Sequence, residues 1–432
     1  MPRPSLPGLL RDPDFGRLFA ATALGQLGDR ITFLALPLVA VTALRADAFQ
    51  VGLLAATTSV GSLLVGLPAG AWVDRVRKRS VMIAADLLRA AALATVPVLW
   101  WADRLTVLGL YAIALIHGVL TVFFDVAYVG FLPHLVGRGR LVEGNAKLSA
   151  VRSATSIGGP ALAGPLVGLV GAPVTLLASA AGLAVSGLVA LSIRTRERKP
   201  ESGDRPRPGR EIAEGLTFTL GHPALRAIAL GDALFNLSLA LYLSMLPVFL
   251  EREVGLRPFG IGLILSGMGG GALVGALLAK TLSERVGLGP VIWLASLVTC
   301  PSTVLMPMAR PGWSVYVAAL GLAALSLGGV VRFVAQSSVQ QAVTPDRLLG
   351  RMSATSRFVS WGGIPIGGLL GGASGSVYGP AGALWIGAVG MTLSVLPTFL
   401  SPLRALRTPP PWPLPSRADR ARTGAADRGQ GV

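Results

Sequence analysis

Residues 66–83 read GLPAGAWVDRVRKRSVMI. An apolar segment ends at Val73, one acid and four bases follow (Asp74, Arg75, Arg77, Lys78, Arg79), and a second apolar segment starts at Val81. A loop this short between two hydrophobic runs is a tight hairpin at a membrane surface, and its bases assign that surface to the cytoplasm. The rest of the chain is placed relative to this hairpin.

Of the 432 residues, 52% are hydrophobic and only 14% are charged, whereas a soluble domain carries about a quarter charged residues. Mean hydropathy is +0.64. Apolar stretches of about 20 residues, each enough to cross ~30 Å of hydrocarbon, recur along the whole length. The sequence predicts an all-α polytopic membrane protein with twelve spans, near 17–41, 51–72, 81–101, 105–127, 146–170, 174–193, 227–249, 259–282, 291–309, 314–338, 353–373 and 381–400. Residues 1–193 form one six-helix bundle, 194–226 a polar cytoplasmic linker, 227–400 a second bundle, and 401–432 a Pro- and Arg-rich tail expected to be disordered.

The net charge of +17 sits in short loops and tails, with no basic groove and no interleaved aromatics, so positive-inside bias accounts for it and nucleic acid is not a partner. Bases cluster on the side of the hairpin. The opposite side holds only Arg45, Arg104, Arg252, Arg257 and Arg310. With an even number of spans, both termini are expected in the cytoplasm. Cys300 is the single cysteine, so no intrachain disulfide is possible. His117, His134 and His222 are scattered and predict no metal site, and no cofactor is expected. No nucleophile–base pair or phosphate loop points to an enzyme. Residues 1–16 lack the apolar core of a cleavable signal, which leaves the first span as its own insertion signal. Abundant Arg, Ala and Gly suggest a GC-rich bacterial genome.

The two halves repeat. VDRVRKRSVMI from Val73 parallels SERVGLGPVIW from Ser283, and LVGRGRLVEGNAKLSA before span 5 parallels AVTPDRLLGRMSATSR before span 11. Two packed six-helix bundles of this kind rock about a site at their interface.

Taken together, LGDRITFLALPL, GLPAGAWVDRVRKR, TVFFDVAY, RLVEGNAKLSAVRS and VTPDRLLGRMSATSRFVSWGGIP resemble the major facilitator superfamily over nearly the whole chain. More closely, the chain resembles the bacterial drug:proton antiporter branch that contains macrolide exporters and the enterobactin exporter. The hairpin is similar to the family's loop motif at Gly70, Asp74, Arg75 and Arg79, and departs from it at Arg77 and Ser80. The resemblance implies a conformational latch. The acid sits at the N-terminus of span 11, and Lys78 or Arg79 pairs with an acid at the end of span 4, here Asp125. Glu284 and Arg285 form the second copy. A carboxylate at a helix N-terminus gains ~0.3–1 kcal/mol, which makes the first pairing physically reasonable. The bases alone are equally explained by topology and anionic lipid. Gly159, Pro160 and Gly164 resemble the family's span-5 antiporter motif, which bends the helix between the halves. Small residues at four-residue spacing serve close helix packing equally well.

Asp29 is the sharpest candidate, lying about twelve residues into span 1 near the bilayer midplane. An ionised acid there costs at least ~2.5–3.5 kcal/mol and must face protein or water. Gln26 and Phe33 share its face, and neighbouring Arg30 points about 100° away, so any partner is on another helix. Proton coupling and a permanent ion pair are both open readings. Asp86 and Arg89, three apart, are expected to pair with each other or with the latch. Asp232 and Asn236 in span 7, and Arg332 and Gln336 in span 10, are further proton or substrate candidates. Arg152 and Arg357 either touch an anionic substrate or pair with acids. His117 stands in span 4, where the superfamily carries an Arg, and serves either as a packing residue or as a proton relay. Phe33, Phe124, Phe235, Tyr242 and Trp361 are candidate cavity aromatics.

The expected protein is a monomeric proton antiporter that exports a lipophilic small molecule through alternating access, with small-molecule substrate, protons and membrane lipids as partners. The alternatives are a metabolite facilitator or importer, a lipid flippase, or a membrane sensor on the same fold.

Overall fold

The computed structural model describes residues 8–73, 75–137, 140–195 and 208–405. Every regular element among them is helical. In hydrocarbon each backbone N–H and C=O has to be satisfied within the segment, so long apolar runs have little alternative. The first half comprises α1 (Pro13–Leu38, continued by a wider π-type turn Val39–Ala43), α2 (Ala48–Val73), α3 (Lys78–Trp101), α4 (Val107–Val136), α5 (Leu141–Val170) and α6 (Ala172–Leu191). A short helix, α7 (Pro208–Gly221), lies within the linker. The second half comprises α8 (Pro223–Arg252), α9 (Pro258–Val286), α10 (Leu288–Thr299), α11 (Ser314–Val343) and α12 (Asp346–Leu393).

Ten helices among the described residues are long and apolar enough to cross a membrane. One of them, α12, supplies two spans, because Gly379 breaks it at a φ of 75° that side-chain-bearing residues rarely adopt. With the 26-residue α2 this gives the twelve spans of a multi-pass membrane protein.

The helices overrun the apolar runs. Span 4 continues to Val136 rather than ending at 127, and span 5 starts at Leu141 rather than 146. At the end of the second half, Pro402–Ala405 form a 3-10 turn whose Leu403 is buried in the core of that half. Tail residues 406–432 lie outside the described residues.

The ends of the helices that carry Lys78, Arg79 and Arg140 define a basic face. The halves meet most closely in the part of the molecule away from it. There α2 lies on α12 and α5 lies on α9. A Cβ on Gly52 would fall on the backbone of Gly372 and 2.7 Å from the Gly368 carbonyl oxygen. A Cβ on Gly164 would lie 2.8 Å from the Pro258 carbonyl oxygen, and one on Gly269 would lie 2.7 Å from that of Ser156. Arg252 Nη2 adds a 2.6 Å hydrogen bond to the Ala46 carbonyl across the same seam. The contact is small-residue packing of the kind that lets helix backbones touch. Gly52→Val is therefore expected to pry the far face open. In that variant a cysteine at position 33 should become reactive to an impermeant thiol reagent from the far face, with buried Cys300 silent. Unchanged labelling would mean that the seam yields elsewhere.

Candidate functional site

On α1, Asp29 reaches into a buried charged cluster. Arg89 of α3 donates from Nη1 to both Asp29 carboxylate oxygens at 3.1 Å, and to Thr121 Oγ1 of α4 at 3.2 Å. From Nη2 it donates to Asp86 Oδ1, one turn back on the same helix. Asp86 also accepts 2.6 Å from Ser186 Oγ of α6. His117 Nε2 lies 3.4 Å from Asp29 Oδ1 without the alignment of a hydrogen bond. Arg89 and Asp86 are fully buried, and Asp29 keeps 30% of its side chain accessible. The ring of Phe124 covers the Arg89 guanidinium at 4.8 Å.

One guanidinium thus serves two carboxylates directly. A third, Asp125, is within electrostatic reach of both Arg89 and Asp29. Two carboxylates on one guanidinium leave a local surplus of negative charge, which a bound proton or the neighbouring guanidinium groups of Arg30, Arg152 and Arg357 relieve, because uncompensated charge in such a place is expensive. Asp29 is the accessible end of the cluster, and buried His117 stands behind it, so that two protonatable groups lie 3.4 Å apart.

The second half carries a related arrangement. Asp232 of α8 accepts 2.5 Å from Arg332 Nη1 and 3.1 Å from Gln336 Nε2, both on α11. Phe235 lies under the guanidinium at 4.2 Å. Asn236 turns back to donate 2.9 Å to the Asp232 carbonyl rather than joining the cluster.

Five of these charges share a depth. Arg89 from Lys78, Asp125 from Val136, Arg152 from Leu141, Arg332 from Val343 and Arg357 from Asp346 are each eleven residues from the basic-face end of their helix. At 1.5 Å per residue that places them in a layer ~16 Å in. Arg30 lies further along α1, its stem covering Gly159 of α5, where no Cβ would fit. Arg30, Phe33 and, less fully, Gln26 form the accessible stripe of α1. Because an arginine does not face lipid at this depth, the stripe faces the interior between the halves.

A family model described as "Transmembrane secretion effector" matches residues 7–414. This chain belongs to that family. It is a major facilitator superfamily transporter. Among similar proteins, the multidrug efflux pump Tap of Mycobacterium tuberculosis is 30% identical over 376 residues, covering 84% of this chain and 87% of Tap. The enterobactin exporter EntS of Citrobacter koseri is 26% identical over 403 residues, covering 92% of this chain and 93% of EntS. In fold, the chain matches a bacterial homologue of the iron transporter ferroportin in its inward-facing state, with a TM-score of 0.72 and 18% identity over 91% of this chain and 99% of that one. The outward-facing state of that homologue gives 0.61 at 17% identity, over 90% and 98% of the two chains.

Within this secretion-effector chain the pairing of Lys78 or Arg79 with Asp125 that the hairpin motif implied is not made. Gly70 lies in the last turn of α2, and Asp74 lies outside the described residues. Arg75 N closes a turn onto the Trp72 carbonyl at 3.0 Å. Lys78 lays its stem against Gly130, and Arg79 donates to the Ala190 and Leu191 carbonyls at the end of α6, at 3.1 and 2.5 Å. Asp125 is one and a half turns deeper than Gly130, facing Arg89, Arg152 and Arg357. The physical reason is the overrun of α4, which carries Asp125 into the membrane interior. Glu284 pairs with Lys280 at 3.8 Å on its own helix, and Arg285 occupies the last turn of α9. Gly159, Pro160 and Gly164 lie within one continuous α5. Gly159 admits Arg30, and Gly164 admits α9 at the seam. Of the aromatics, Tyr242 is fully buried with its hydroxyl on the Thr303 carbonyl at 2.9 Å, so it lines no cavity. Phe124 and Phe235 are buried beneath arginines, while Phe33 and Trp361 remain exposed.

Sequence reading singled out Asp29, Asp232, Arg332 and Gln336 as candidates and expected the Asp86–Arg89 pair, and the structure makes that pair and brings Asp232, Arg332 and Gln336 together. Sequence reading missed that Arg89 is the partner of Asp29, and it did not bring His117 to that carboxylate. The signal was present: an interior acid needs a cation at a reachable depth, and Arg89 lies well inside α3.

Proposed function

We propose that this transporter exports a lipophilic small molecule, an antibiotic or secondary metabolite, across the bacterial cytoplasmic membrane in exchange for protons. The basic face lies in the cytoplasm with both termini, and the halves alternate between the form closed on the far face and one closed on the basic face. The observation that carries the proton half is the partly accessible Asp29 carboxylate, 3.4 Å from His117, in a network where one guanidinium directly serves two carboxylates. The similarity to Tap and EntS supports export. The glycine seam on the far face supports a conformation open to the cytoplasm.

The test uses purified full-length chain in liposomes with a pH dye inside and an imposed pH gradient. A panel of lipophilic antibiotics is added, and proton flux and compound movement are followed together. Antiport predicts that at least one compound moves against protons in a fixed ratio. Compound movement with no proton flux would instead assign facilitated diffusion or lipid flipping.

A further inference from the structure

Arg30, Arg152 and Arg357 have no carboxylate within 4.0 Å among the described residues. All three are exposed, although each lies well inside a spanning helix. Their surroundings are specific. Arg152 stands over the Tyr128 ring at 5.9 Å, and Arg357 over the Trp361 ring at 5.6 Å. Arg152 and Gly159 are seven residues, two helical turns, apart on one face of α5, so Arg30 and Arg152 line the same wall and feel each other's charge. Arg152 from the first half and Arg357 from the second both lie within electrostatic reach of Asp125. Asp125 is the acid that faces this pair, while Asp29, hydrogen-bonded to Arg89, also lies within electrostatic reach of Arg30. Counted together with Arg89, four guanidinium groups face the three carboxylates Asp29, Asp86 and Asp125, which leaves one positive charge in surplus in a region of low dielectric, where a counter-charge is strongly favoured. A cleft of about 350 Å³ between α4 and α5, lined by Tyr128, Leu132, Leu141, Asn145, Ser149 and Arg152, connects the wall with the basic-face ends of those helices.

We infer that this wall is an oxyanion site and that the cargo is an amphiphilic acid. Its carboxylate or phosphate is held by Arg152 and Arg357, with Arg30 adding charge above, and its apolar body lies against Tyr128 and Trp361. Guanidinium forks match such oxyanions in geometry as well as charge. Naming the occupant as cargo rests on the exporter reading. The site itself does not.

The experiment compares two probes, 1-pyrenebutyrate and its neutral counterpart 1-pyrenebutanol, binding to the full chain in phosphatidylcholine nanodiscs. The acid is expected to bind about tenfold more tightly than the alcohol. Arg152→Gln and Arg357→Gln should each weaken acid binding by about tenfold and leave the alcohol within about twofold, the scale of one charged hydrogen bond. Retained alcohol binding shows that the variants fold. Equal affinity for the two probes, or variants that keep the preference for the acid, would overturn the site. A second arm adds phosphatidylglycerol. If that lipid competes with the acid and co-purifies with the wild type but with neither variant, the occupant is a lipid headgroup and the cargo assignment fails. Absence of competition supports cargo. Arginine-dependent acid binding in a protein that moves no compound in liposomes would leave the site standing and remove the exporter reading.

Discussion

Asp29→Asn is expected to reduce compound-driven proton flux to the level of protein-free liposomes while leaving the protein as thermally stable as the wild type, or more so. The asparagine keeps the shape and can still accept one hydrogen bond from Arg89, but it can no longer exchange a proton. Stability holds because Arg89 retains Asp86, and one guanidinium against one carboxylate is a balanced buried pair. Flux that persists in this variant would move the proton to Asp125 or Asp232, which would be substituted next. A loss of flux accompanied by a collapsed melting temperature would make Asp29 a structural partner instead.

Arg89→Leu should do the opposite and damage folding first. It strands Asp86 in a fully buried position and removes the two Arg89 hydrogen bonds to Asp29. Leaving a buried charge without its partner costs about 3–5 kcal/mol, a large part of a typical protein's stability. The measured result would be a sharp fall in yield and in the thermal transition by size-exclusion fluorescence. Adding Asp86→Asn should recover much of the loss, because the stranded carboxylate is then gone. Such non-additivity is the signature of a shared network. A single Arg89→Leu variant that melts like the wild type would show that the two acids take up protons at no cost to the fold.

The C-terminal cluster provides a control of different size. Asp232→Asn removes one charge from a site in which Arg332 and Gln336 are its partners, and Arg332 then lacks a counter-ion. It is expected to lower the thermal transition where Asp29→Asn does not. Equal behaviour of the two variants would mean that the clusters are electrostatically equivalent.

The twelve spans and the duplication were legible because hydrocarbon imposes apolar runs of fixed length and basic loops of one sign. Depth was less legible. An apolar run marks the stretch that must be lipophilic, whereas the helix continues into the polar interface, as α4 does from Asp125 to Val136. Reading the end of the run as the end of the helix placed Asp125 at the surface with Lys78 and Arg79. Pairings at three- or four-residue spacing, such as Asp86 with Arg89, follow from helical geometry and were readable. Asp29 with Arg89 and Arg30 against Gly159 depend on which helices become neighbours, and no local pattern encodes that.

The layer of charges ~16 Å from the basic face also has an electrical consequence. Water that hydrates Arg152 and Arg357 carries the potential of the bulk solution inward with it, so the membrane voltage falls mainly across the thickness beyond the layer. Asp29, sixteen residues along α1 from Pro13, stands inside that compressed drop. Moving one charge through the whole of it is worth about 2.3 kcal/mol per 100 mV. Under the proposed proton exchange, a proton reaching Asp29 from the far face would traverse most of the field, and each arrival should register as a brief capacitive current.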